Sequence, residues 1–123
     1  MADVSTLRHF RDAVAAGGYI GGVDRDAVAA FGVEGVMAAQ HATTGPLGGS
    51  IDRAVDFKEA MLPGWYWRCG HTTLYAGWAF INRLDPNHCD RLDEAPGYAP
   101  TPAKALVVAT LNAMIAIAEA RNG

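Results

Sequence analysis

Leu62-Pro63-Gly64-Trp65-Tyr66-Trp67 is the stretch on which the reading of this chain turns. Upstream, Ser50 is a good N-cap, and Ile51, Ala54, Val55, Lys58 and Leu62 fall at helical spacing. Asp52 sits in the first turn, where the helix dipole favours an acid. Pro63 disfavours the α conformation at Leu62, and Gly64 follows, so the helix must stop there. Trp65, Tyr66 and Trp67 are strand formers. Helix gives way to strand within six residues.

Working outward, residues 65–69 predict one strand and residues 73–81 (TLYAGWAFI) a second. Gly70, His71 and Thr72 are expected to turn a hairpin between them. On the period-2 rule Trp65, Trp67, Cys69 and His71 share one face, and Tyr66 and Arg68 the other. In the second strand Leu74, Ala76, Trp78 and Phe80 share a face, with Tyr75 and Ile81 opposite. Residues 83–100 hold Pro86, Pro96, Gly97 and Pro100 and read as a long polar loop, of the kind that is usually functional or mobile. Thr101-Pro102 then opens a helix, with Thr as N-cap and Pro at the first helical position, running to about Ala120. Leu106, Ala109, Ala113, Ile117 and Ala120 make one apolar stripe, and Val107, Leu111, Met114 and Ala118 a second beside it.

Ahead of Ser50, residues 5–16 read as an amphipathic helix capped by Ser5, with Leu7, Phe10 and Val14 on one face and Gly17-Gly18 closing it. Asp24 caps a helix through Phe31, and residues 33–42 predict a further short one after Gly32. The segment Thr43–Gly49 (TTGPLGG) has three glycines, one proline and no periodicity, so it reads as a linker. The expected fold is α+β: one domain over 1–123, with a helical N-terminal part (1–42), a linker (43–49) and an α-β-β-α unit (50–121). In that unit a small antiparallel sheet packs on helices. A two-stranded hairpin is marginal alone, and open edge strands invite pairing, so a homo-oligomer is expected.

Bulk properties bound the function classes. The 123 residues suffice for one domain. The net charge is −3 with no run of Lys or Arg, which argues against non-specific nucleic-acid binding. No unbroken stretch of about 18 apolar residues occurs, so no membrane span is expected. Two cysteines 20 positions apart do not make a disulfide framework, and a cytoplasmic setting is expected.

The run from Gly49 to Trp67 (GSIDRAVDFKEAMLPGWYW), the Ala76-Gly77-Trp78 strand and the Thr101–Leu106 (TPAKAL) helix start together resemble small proteins of tailed phages and prophages. These are the group described as the phage ABA (α-β-α) sandwich domain. The resemblance covers roughly residues 49–119. It implies an α-β-β-α order and a phage accessory role in the host cytoplasm. It supplies no catalytic residue.

Three constellations bear on chemistry. The aromatics Trp65, Trp67, Trp78, Tyr66 and Tyr75 serve first as core, because aromatics dominate small cores. One left at the surface beside Arg68 makes a stacking platform with a phosphate-binding cation. If Trp65 and Trp67 face inward, Tyr66 and Arg68 face out. The candidate ligand-binding residues are therefore Tyr66, Arg68, Trp78, Tyr75 and His71. Cys69, His71, His88 and Cys89 are zinc-ligand types, but Cys-x-His followed by adjacent His-Cys matches no common zinc spacing, so no metal site is expected. Nor do Cys69 and His71 make a nucleophile and base without an orienting third group. Gly17–Gly22 before Asp24 lacks the Gly-Lys-Ser/Thr ending of a phosphate loop, and Asp24 and Asp26 would repel an anion. Asp85, Asp90, Asp93 and Glu94 read as loop-solvating charges. The expectation is a non-enzymatic accessory protein without a cofactor. It would bind a small nucleotide signal or a host defence protein; the alternative is an assembly or DNA-metabolism module with no small ligand.

Overall fold

The computed structural model describes residues 3–44, 50–84 and 91–122. Along the chain run α1 (Val4–Ala15), α2 (Arg25–Thr43), α3 (Ile51–Met61), β1 (Tyr66–Gly70), β2 (Gly77–Leu84), β3 (Arg91–Ala99) and α4 (Pro102–Asn122). The fold is α+β, with helices first, then strands, then a closing helix. The three strands form one antiparallel sheet in the order β1-β2-β3. One face of that sheet lies on α4, and α4 in turn lies on α1 and α3. Its central position explains the two apolar stripes: Ala105, Leu106, Val107, Ala109, Thr110 and Leu111 are all fully buried. By length and composition α4 would also suit a membrane span, and burial between two protein layers accounts for the same composition.

The turn at Leu62–Trp65 forms as read. Ser50 caps α3 by accepting from the Arg53 amide, and Gly64 takes the left-handed conformation (φ 83°) that glycine adopts without strain. Lys58, fully buried, holds this corner: its amino group donates to the Trp65 carbonyl at 2.6 Å and pairs with Glu59. Gly17 and Gly18 close α1 by donating to the Val14 and Ala13 carbonyls. Asp24 caps α2 through the amides of Asp26 and Ala27.

Elsewhere the structure corrects the sequence reading. Asp3, not Ser5, caps α1; Ser5 lies inside the helix and its hydroxyl donates to Asp3. At Gly32 the expectation holds: the residue is non-helical (φ 75°, ψ 171°) and kinks α2 between two helical segments. Of the linker, Thr43 is the buried last residue of α2 and Thr44 its cap, while 45–49 lie outside the described residues. The hairpin connection spans 71–76 rather than 70–72, and the second strand begins at Gly77. Thr72 makes this connection: its hydroxyl accepts from the Leu74 and Tyr75 amides, and its own amide donates to the Tyr75 carbonyl. This Thr-led turn competes with strand pairing.

The largest correction is β3. Residues 91–99 of the expected loop form a third strand paired with β2. Pro96 is tolerated because β3 is an edge strand and needs no ladder on its outer side. Gly97 is required by α4: a Cβ there would overlap the backbone of Ala105 and Ala109, coming within 2.9 Å of the Ala109 Cα. A bulge separates Ile81↔Ala95 from Arg83↔Leu92, leaving Asp93 and Glu94 opposite the single residue Asn82. Asp93 sits at φ 56°, the left-handed position of a bulge usually given to glycine, and its carboxylate is held by Arg83. Asp93 and Glu94 are therefore sheet residues, not loop solvation. Asp85, His88, Cys89 and Asp90 lie outside the described residues.

Candidate functional site: the open face of the sheet

Register decides which side chains reach the uncovered face. Gly97 pairs with Ala79, and Gly97 touches α4, so Ala79 and Ile81 point at the helix; both are fully buried. Trp67 and Cys69 pair with Ile81 and Ala79 and share that side. Trp78 and Phe80 point the other way, joined by their partners Arg68 on β1 and Tyr98 on β3. Trp67 is thus on the core side, yet on an edge strand it stays 42% exposed.

On the open face the side chains touch one another. The Phe80 ring is the centre: Trp78 lies 6.0 Å from it and Tyr98 6.4 Å, centroid to centroid. Arg68 sits over the Phe80 ring at 5.0 Å. Tyr75, carried round by the Thr72 turn, stacks against Tyr98 at 5.0 Å with the planes tilted by 39°. Trp78 lies across Gly70, its cross-strand partner, where a Cβ would meet the indole at 3.0 Å. Its Nε1 is buried with no partner among the described residues. Together Arg68, Thr72, Tyr75, Trp78, Phe80 and Tyr98 line a shallow depression of about 310 Å³.

Among the described residues Arg68 is the one cation lining it. Its guanidinium is 3.7 Å from the Glu94 carboxylate, with both side chains partly exposed. A pair of this kind is worth at most about 1 kcal/mol, so an incoming phosphate can exchange for it. The depression combines π faces, the hydroxyl-bearing side chains of Thr72, Tyr75 and Tyr98, and one exchangeable guanidinium. It can stack a planar ring and hold an anion beside it.

Of the five residues expected from sequence, Arg68, Tyr75 and Trp78 meet in this depression. Tyr66 shares the face two residues before Arg68 and is 56% exposed, but does not line it. His71 begins the connection and is exposed outside it. Phe80, Tyr98 and Thr72 were not among the expected residues. Phe80 was legible two positions from Trp78 on the same strand. Tyr98 was hidden because Pro96 and Gly97 make residues 83–100 read as a loop.

The Cys69–His71 pair is no better supplied here. Half-burial pushes the Cys69 thiol above its ordinary range by desolvation, which disfavours the nucleophilic thiolate. Among the described residues no three His, Cys, Asp or Glu side chains cluster as metal ligands. Compared with protein-family models, curated proteins and solved structures, the chain matches none.

Proposed function

We propose that this protein is a non-enzymatic binding module that stacks a small nucleotide on the open face of its sheet. One observation carries the reading: Arg68, Tyr75, Trp78, Phe80 and Tyr98, from three strands and a turn, surround one depression on the face that α4 leaves uncovered. Buried aromatics need no further explanation, but an aromatic cluster kept at the surface beside a guanidinium does. A base stacks on Tyr98 and Tyr75, and Arg68 leaves Glu94 for the phosphate. The motif likeness to phage accessory proteins suggests the purpose: sequestering a nucleotide signal inside the host cytoplasm.

Titration calorimetry against a panel of cyclic and linear nucleotides tests this. At least one should bind, and Arg68→Ala and Tyr98→Ala should each weaken it more than tenfold while leaving the circular dichroism spectrum unchanged. Silence across the panel from folded protein would refute the nucleotide reading.

A second reading is favoured by Leu74, an apolar side chain 85% exposed beside Tyr75 at the hairpin tip. Such a residue next to an aromatic patch suits a protein partner, as in an assembly module or a counter-defence protein. In that case Leu74→Asp disrupts the complex, whereas nucleotide binding would be indifferent to it.

A further inference from the structure

The two edges of the sheet are treated differently by the sequence. The β3 edge carries three features that discourage pairing: the bulge at Asp93-Glu94, charged side chains there, and Pro96, which has no amide hydrogen. The β1 edge has neither a bulge nor a proline. Its five residues, Tyr66-Trp67-Arg68-Cys69-Gly70, run without proline or bulge against β2, and among the described residues no strand pairs with their outer side. Arg68, the one charge, leans inward across the sheet: its guanidinium lies over Phe80 of β2 and 3.7 Å from Glu94 of β3. The outer margin is left with Tyr66 and Trp67, 56% and 42% exposed on opposite faces.

From this asymmetry we infer that β1 is a self-association edge, pairing antiparallel with β1 of a second copy across a two-fold axis at Arg68. The register that uses all five residues sets Trp67 opposite the partner's Cys69 and Tyr66 opposite the partner's Gly70. Large residues then meet small ones on both faces. This is the arrangement the chain already uses within β1-β2, where Trp78 covers Gly70. The seam is uncharged, because each Arg68 is drawn toward its own Glu94. A two-fold contact is self-complementary and closed, so pairing stops at two chains. The product is a six-stranded sheet with both aromatic depressions on one side and both α4 helices on the other. The inference is independent of what those depressions hold.

Light scattering on the full chain reads the result directly. The mass should be twice the 13.0 kDa of one chain, and Trp67→Lys, which places a charge on the seam, should return it to one. The register is tested by Trp67→Cys in a Cys89→Ser background. Mild oxidation should then give a covalent dimer on a non-reducing gel, since directly opposed residues come close enough for a disulfide. Cys89→Ser alone should not. A single-chain mass at every concentration would overturn the inference, as would a dimer unchanged by Trp67→Lys in folded protein. If Trp67→Lys fails to fold, the Trp67→Cys cross-link decides alone, and its absence overturns the pairing.

Discussion

Lys58 puts a side chain with a polar end where almost none of it meets water, being 1% exposed. Its amino group is matched by the Trp65 carbonyl and by Glu59, which sits at the surface. Replacing Lys58 by Met leaves that carbonyl without its donor. The expected cost is about 1–3 kcal/mol, read as a lower midpoint in urea at unchanged slope. The hydrogen bond from Lys58 and its charge hold the Glu59 carboxyl below the ordinary glutamate value of 4.5. A group whose pKa is lower folded than unfolded stabilises above the unfolded value, and that stability is lost as pH falls through the folded one. Stability should therefore fall on acidification below about pH 4.5, and Glu59→Gln should flatten that part of the profile. Thr43 is a comparable residue on the helical side. Its hydroxyl accepts from the Ile20 amide at 3.0 Å and donates to the Ala39 carbonyl at 2.8 Å, wholly buried. Thr43→Val orphans the Ile20 amide and should cost a similar 1–3 kcal/mol, roughly.

At the scale of elements, two glycines separate backbone strain from lack of space. Gly32 bends α2 at φ 75°, and a Cβ there would meet nothing within 4 Å. Gly32→Ala should therefore cost only the backbone strain of this positive-φ, extended region, which is essentially confined to glycine, about 1–3 kcal/mol. Gly97 has no such freedom of surroundings, because the α4 backbone occupies the place of its Cβ. Gly97→Ala should push α4 off β3 and cost about 3 kcal/mol or more, with loss of near-ultraviolet dichroism from the aromatics. This pair also marks what a sequence can reveal. A glycine that stops a helix is legible from its neighbours, and Gly17, Gly18 and Gly64 were. A glycine required because another element lies on it is not, and Gly97 beside Pro96 therefore read as part of a loop. The error propagated: without β3 there was no Tyr98 to join Phe80 and Trp78 on the open face.

For the whole molecule, α4 is the hub on which the sheet and the other helices lie. Side chains tie these layers at their margins. Arg8 of α1 pairs with Glu119, Lys104 donates to the Gly17 carbonyl at 2.7 Å, and Asn112 donates to the Pro96 carbonyl at 2.7 Å. Leu111, buried in the middle of α4, should lose about 2–5 kcal/mol on truncation to Ala, whereas Tyr98→Ala, 44% exposed, should cost little stability and act on binding. Measured together by thermal denaturation and calorimetry, the two variants separate the core from the face. The sequence by itself determined the elements with local causes: the capped starts at Asp24, Ser50 and Thr101-Pro102, the stop at Pro63-Gly64, the apolar closing helix and the β1 strand. Those follow from interactions within a few residues of one another. Only the tertiary structure decided that 91–99 is a strand and that Arg68, Tyr75, Trp78, Phe80 and Tyr98 share a face. Each depends on residues far apart in the chain, above all on the α4 backbone pressing against Gly97, and no local propensity records such a contact.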